Sequence, residues 1–294
     1  MKPPRDHGAV LFIASLSAAA AGICNPWLAA AEPNQSAAET PAKPQDAKQD
    51  DQNNGKDLTR PVNSIELRFR YQQSMGSDST TERERLYLLA TSRIVLDPQW
   101  KLSLLAQVQG DNKVTVSDKS PTTQDLGPGD TTFQAILART LNERWAFGFG
   151  ARVVAPTAQD SLGPGVWQVM PGFGIRYSLP ELGSDSYFVP AMRYDMCAGC
   201  SASARNIDRL EIAPTLNIDL PGRWFLTLYP SYDIRINYGD PVSGQTGRLF
   251  LPADFAIGRE ISDHVVVSLE IGVPIVKDYP VYDFKTQLRF ILKN

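Results

Sequence analysis

"SIELRFRYQ", residues 64–72, decides the fold. Ile65, Leu67, Phe69 and Tyr71 alternate with Glu66, Arg68, Arg70 and Gln72. On a helix this stretch scatters charge and apolar surface around every face. On a strand it has one oily face and one densely charged face. The fold therefore turns on which solvent the oily face meets.

The same alternation recurs along the 294-residue chain. "WKLSLLAQV" (100–108) places Trp100, Leu102, Leu104, Ala106 and Val108 together. "WAFGFGARVVA" (145–155) sets Trp145, Phe147, Phe149 and Val153 against Gly148, Gly150 and Arg152. "LEIAPTLNIDL" (210–220), "WFLTLYPSYDIRINY" (224–238), "VVVSLEIGVPIV" (265–276) and "YDFKTQLRFIL" (282–292) continue the theme. Tight connections at 96–99, 141–144, 179–185, 220–223 and 261–264 take turns with polar ones at 75–82, 110–125, 156–165, 197–206, 239–247 and 277–280. This spacing predicts an all-β fold, a closed antiparallel transmembrane β-barrel of about twelve strands. Both termini fall on the tight-turn side, the asymmetry of barrels with short periplasmic turns and longer external loops.

A soluble sandwich also alternates, and three features weigh against it. Trp100, Trp145, Tyr177 and Trp224 sit at strand ends beside tight turns, where an interfacial girdle belongs. The opposite face is too charged for a sandwich core. Glu66, Arg68, Arg70, Arg85, Arg93, Arg152, Asp233, Arg235, Asp254, Glu270, Lys285 and Arg289 all point to it. Burying an unpaired charge costs several kcal/mol, and pointing an Arg or Lys at the bilayer midplane costs roughly 2–4 kcal/mol. A wet or internally paired lumen accepts such groups cheaply. The third feature is the shortage of disulfides that exported sheet proteins use as staples. Six prolines argue back: Pro171, Pro190, Pro214, Pro230, Pro252 and Pro274 fall in or near predicted strands. A closed barrel has no edge to host them, so bulges are expected, each able to swap the faces beyond it.

The N-terminus differs from the rest. Lys2 and Arg5 precede "AVLFIASLSAAAAGI", and Ala29 and Ala31 supply a small-x-small cleavage pattern, so residues 1–31 read as a secretory signal peptide. The apolar run is short for a span of about 20 residues. Ile23 precedes Cys24 where a lipid-attachment motif takes Gly, Ala or Ser. Residues 32–60 lack apolar periodicity and are rich in Pro, Gln, Asp, Asn and Lys. They read as a disordered polar leader. Residues 61–294 are the expected barrel, destined for the outer membrane.

Candidate chemistry is sparse. The formal net charge of -3, with no basic cluster, excludes nucleic acid as a partner. Cys197-x-x-Cys200 fits a small disulfide, half a zinc site or a redox pair. A zinc site needs two more ligands, and the mature chain keeps one histidine, His264, in a predicted turn at the other end, so no metal and no cofactor are expected. A barrel phospholipase needs an activated Ser beside a His, and an omptin-like protease needs His at the external rim. Neither pattern is present, so no catalytic residues are assigned. "GPGD" and "GFGAR" lack the Lys-Ser/Thr of a phosphate loop. The lumen charges remain as the pore-lining candidates. Arg68, Arg70, Arg85 and Arg93 come from early strands, and Asp233, Asp254 and Glu270 from late ones. Facing each other, they either set a transverse field that selects solutes or pair up and brace the wall. The expected function is passive passage of small solutes, aromatic or anionic, through a charged lumen. The alternative is a non-conducting structural or adhesive barrel. Expected partners are outer-membrane lipid and lipopolysaccharide, periplasmic chaperones, the barrel-assembly machinery and the solute.

"GPGDTTFQAILAR" (127–139), "PTAQDSLGPGVWQVMPGFG" (156–174), "APTLNIDLPGRWFLTLYPSYDI" (213–234), "LFLPADFAIGREI" (249–261) and "QLRFIL" (287–292) come in a familiar order. In these phrases residues 85–292 resemble the Gram-negative outer-membrane transporters labelled phenol meta-pathway proteins. The resemblance implies an outer-membrane channel and leaves the solute open. "Cys-Ala-Gly-Cys" departs from the family pattern. So does the terminus, where "ILKN" follows Phe290 in place of a final aromatic.

Overall fold

The computed structural model describes residues 54–55, 57–159, 161–200 and 205–294. The expected signal peptide and residues 32–53 of the leader lie outside the described residues. The strands are β1 (Ser64–Met75), β2 (Ser79–Val95), β3 (Trp100–Ser117), β4 (Thr123–Pro128), β5 (Thr131–Thr140), β6 (Trp145–Ala155) and β7 (Trp167–Ser178). They continue with β8 (Tyr187–Ala198), β9 (Asp208–Leu220), β10 (Trp224–Leu228), β11 (Ile234–Asn237), β12 (Leu249–Glu260), β13 (Val265–Lys277) and β14 (Phe284–Lys293). Every pairing is antiparallel. β10 and β11 share one position between β9 and β12, and β4 is a flap on β3. With β1 on β14 and β12 on β13, the sheet closes as a twelve-stranded barrel, and no helix occurs among the described residues.

The opening stretch meets its two solvents in the inverse of the soluble order. Ile65, Leu67 and Phe69 are 54%, 44% and 47% exposed on the outer wall, while Glu66 is 8% exposed inside. Leu86, Leu88, Phe133, Phe149 and Phe173 continue the outer band. An apolar surface on this scale is a lipid surface. Closure matters for the same reason. No backbone N–H or C=O in hydrocarbon has water to turn to, so every strand needs two neighbours. The girdle lies where the tight turns predict it. Trp145 packs on Tyr177 with ring centroids 4.6 Å apart, and Trp100 meets Phe147 edge-on at 5.9 Å. Arg139 and Arg259 stand over Trp100 and Trp224, with charge on the water side of the ring.

Three connections differ from expectation. The loop expected at 75–82 shrinks to residues 76–78, because Thr80, Thr81 and Thr115 keep β1, β2 and β3 paired beyond the membrane band. The loop expected at 110–125 is instead more sheet. β3 runs on to Ser117 and β4 folds back along it, raising the outer wall rather than dropping inward. The connection after β6 is the one that folds in. Leu162 is 2% exposed, its carbonyl accepts from Arg83 Nη2, and Ala158 N donates to Asp130 Oδ1 at 3.0 Å.

The prolines disturb less than expected. Pro171, Pro190 and Pro214 sit in β7, β8 and β9 with the register kept on both sides. A register shift falls at Leu251/Pro252, where Pro252 faces Pro274. Pro230 lies in the break between β10 and β11, beside Tyr229 at φ 50°. The faces beyond Pro171, Pro190 and Pro214 therefore stay as the alternation predicts, whereas just beyond Pro230 both Tyr232 and Asp233 turn into the bore.

Placing charge on the outer wall tests this architecture. Phe69→Arg should lower folding stability in micelles by about 2–4 kcal/mol, read by denaturant titration with heat-modifiable gel migration. An unchanged midpoint would mean that Phe69 does not face lipid.

Candidate functional site

The end of the leader does not stay outside the barrel. Residues 54–55 and 57–62, expected to belong mostly to the polar leader, turn into the bore at the tight-turn end just before β1 and form a hook. Its polarity is the means of its seating. Asp57 accepts from Thr59 N and Oγ1 at 2.8 and 2.7 Å and pairs with Arg60 Nε at 2.7 Å and Arg176 at 3.6 Å. Arg60 reaches Asp185 at 2.6 Å, in the turn between β7 and β8, and lies over the Tyr187 ring. Asn54 Nδ2 donates to Asn217 at 2.7 Å, and Tyr187 OH donates to Asn54 at 3.0 Å. Leu58 packs on Tyr187, Val189 and Ala191. Two glycines make room for it. A Cβ at Gly148 or Gly174 would come within 2.5 or 2.9 Å of the Leu58 methyls.

The hook divides the bore. Above it lies a chamber of about 680 Å³, bounded below by Gly55, Asp57 and Leu58 and above by Ser161–Pro164 of the inturned loop. Below it lies one of about 550 Å³ among Asn54, Asp185, Asn217, Arg223 and Glu260. Among the described residues, the upper chamber is lined by ten arginines and five carboxylates.

Most of these charges are paired. Glu66 takes a two-pronged contact from Arg289 at 2.7 and 2.8 Å and a third from Arg68 at 2.7 Å. Asp111 receives Arg83 and Arg85, each at 2.8 Å. Glu211 binds Arg193, Arg209 and Arg235 at 2.5, 3.0 and 3.6 Å, and Asp195 binds Arg209 at 2.6 Å. Beside the seam between β14 and its neighbours, Lys285 sits among Asp233, Asp254 and Glu270 at 2.5, 2.9 and 2.5 Å. Ser231, Gln287 and Tyr282 supply further hydrogen bonds to this cluster. These three carboxylates approach one another closely enough to ligate a metal, but the Lys285 ammonium already occupies the space between them.

Of the residues expected along the bore, Glu66, Arg68, Arg70, Arg85, Arg152, Asp233, Arg235 and Arg289 line the upper chamber. Asp254, Glu270 and Lys285 do not; they are buried in the wall cluster. Arg93 lies near the tight-turn end of β2, where its backbone N–H donates to Asn63, away from the chamber. The sequence reading passed over Arg83, Asp111, Arg193 and Arg209, although Arg193 and Asp195 alternate with outward Met192 and Met196 in "AMRYDM". It also passed over the hook. Cys197 and Cys200 are joined as a disulfide at the external end of β8. His264 faces the Lys293 carbonyl at the opposite end, at 3.2 Å.

A family model described as "Putative MetA-pathway of phenol degradation" matches residues 50–198, a stretch that takes in the hook. Among solved structures, the chain is similar to the COG4313 outer membrane channel from Pseudomonas putida F1. That likeness has a TM-score of 0.63 at 13% identity and covers 79% of this chain and 95% of that one. It is also similar to the transport unit of the autotransporter AIDA-I from Escherichia coli, with TM-score 0.51, 7% identity and coverage of 81% and 92%. The NanC porin follows at TM-score 0.45, 12% identity and coverage of 78% and 99%. At these identities the first two likenesses establish the fold, an outer-membrane barrel in lipid, and the third adds nothing to it. No match is found among curated proteins.

The wall cluster makes its own prediction. Lys285→Met leaves three buried carboxylates without their central cation and should cost about 3–5 kcal/mol, measured by denaturant titration of the refolded barrel. A loss below 1 kcal/mol, about that of an exposed pair, would show that the cluster is not the brace described here.

Proposed function

This chain belongs to the MetA-pathway of phenol degradation family, and from that membership and the charge of its bore we propose that it is an outer-membrane channel for small anionic solutes. One observation carries the reading: among the described residues, ten arginines against five carboxylates around the upper chamber. A low-dielectric wall focuses such an excess into a field that concentrates anions. Arginine also suits carboxylates, because its planar fork offers them two parallel hydrogen bonds. Flux would follow the solute gradient, and no covalent step is assigned to any residue.

The hook gives this channel a closed state. With Asp57 and Arg60 seated, the bore is two chambers rather than one path, and passage requires the hook to shift. The same observation favours the second reading, a barrel that never conducts and in which the hook is a permanent brace. Planar-bilayer recording separates the two. The channel reading expects anion-preferring current, brief openings in the wild type and a severalfold longer open time for Arg60→Ala. Silence from both proteins, with folded barrels verified on gels, would favour the brace.

Asp185 adds a pH dependence. It lies in a turn, and burial pushes its carboxyl from 3.8 up to about 6, with Arg60 opposing the shift and Asp57 and Glu260 adding to it. A group whose value is raised in the seated state stabilises seating fully below its free value and loses that contribution as pH rises through about 6. Burial works against the Asp57 charge too, but Arg60 and Arg176 outweigh it and hold this carboxyl below 3.8, so Asp57 changes nothing in that window. Open probability should therefore rise as the pH goes from about 4 to about 6 and level off above that, and Asp185→Asn should flatten the rise. A wild-type curve with the opposite slope would remove Asp185 from the latch.

A further inference from the structure

Three arginines of the upper chamber, Arg70, Arg152 and Arg205, form no ion pair with a carboxylate among the described residues; Arg205 donates to Tyr279 OH, and the other two carry the argument. Arg70 Nε donates to Gln287 Oε1 at 2.8 Å, and the guanidinium stands 5.5 Å from the centre of the Tyr87 ring. Arg152 Nε donates to Gln134 Oε1 at 3.0 Å. Each guanidinium carries five N–H donors, so most remain available to water or solute, and both side chains line the chamber. Their neighbours on the wall spend their donors on Glu66, Asp111 and Glu211.

The two come from β1 and β6 and line one chamber. Arg68 shares the inner face of β1 with Arg70, and Arg68 and Arg193 both repel Arg152. Folding has thus directed cations from β1, β6 and β8 at one space, where neither Arg70 nor Arg152 is held in an ion pair. An incoming anion relieves that repulsion. The space is also partly apolar, since Ile136, Met170 and Leu105 line the same chamber. A fully hydrated inorganic anion gains nothing from these side chains, whereas a carboxylate attached to an apolar body does.

We propose that Arg70 and Arg152, assisted by Arg68, form a carboxylate-binding subsite of the upper chamber for small organic monoanions with an apolar body. The subsite rests on the channel reading for its physiological meaning, since it names the class of solute that the channel would carry. Binding itself can be measured without any current.

The test is calorimetric titration of benzoate, acetate and inorganic phosphate into the full chain in detergent. Benzoate should bind saturably and more tightly than acetate or phosphate. Arg70→Gln and Arg152→Gln should each weaken it by about tenfold or more, the usual consequence of losing a charged hydrogen-bonding partner. Arg152→Lys keeps the charge but loses the fork, so it should fall between wild type and Arg152→Gln. Heat-modifiable migration verifies the fold of each variant, and removing one of several mutually repelling cations should not impair it. Benzoate binding equal in wild type and both Gln variants, or no saturable binding, would overturn the subsite. Phosphate binding as tightly as benzoate would overturn the apolar-body requirement. Saturable binding in a barrel that never conducts would overturn the channel reading and leave the subsite standing.

Discussion

A charge cannot face hydrocarbon cheaply, and a strand has only two faces. These facts organise the molecule. Once Ile65, Leu67 and Phe69 are given to lipid, Glu66, Arg68 and Arg70 have nowhere to go but the bore. Twelve strands then crowd their polar residues into a narrow space, where isolated ions would be nearly as costly as in lipid. The pairing of Glu66 with Arg289, of Asp111 with two arginines and of Lys285 with three carboxylates follows from that crowding.

The pairing is uneven, and the unevenness carries the functional argument. Near Lys285 the charges are paired and packed beside Tyr282, and Asp254, Glu270 and Lys285 stay off the chamber. Around Arg70 and Arg152 the chamber lining carries an excess of arginine among the described residues. The channel proposed above would divide the two readings of the lumen charges, bracing and selection, between two regions of one barrel. Asp254, Glu270 and Lys285 lie in the wall, while Arg68, Arg70 and Arg152 line the chamber.

The barrel was legible in the sequence because period-two alternation is local. Each strand announces itself within a dozen residues, and the alternation survives the prolines because the sheet absorbs most of them without losing register. Tight turns were legible for the same reason. The hook was not. "NNGKDLTRPV" has the composition of a solvated spacer, and what seats it is remote: Arg176 on β7, Asp185 in the next turn and Asn217 on β9. Nothing within the segment signals those partners. The inturning of the loop after β6 was not legible, because connections 110–125 and 156–165 both read simply as polar loops. Thr115 and Val116 hold that longer stretch in sheet, whereas Leu162 gives the shorter one an apolar reason to dip. Pore lining was legible as a face but not as a depth, so Arg93 and Arg85 looked equivalent although only Arg85 lines the chamber.

The hook leaves the start of β1 and fastens to β7, to the turn that follows it and to β8. Going round the sheet, these are the strands most distant from β1. It therefore spans the periplasmic rim as a spoke spans a wheel. Bilayers squeeze embedded cylinders sideways, and a thin-walled tube yields by flattening to an ellipse. Along this diameter a buried ionic strut, made by Asp57 and Arg60 with Arg176 and Asp185, opposes that flattening.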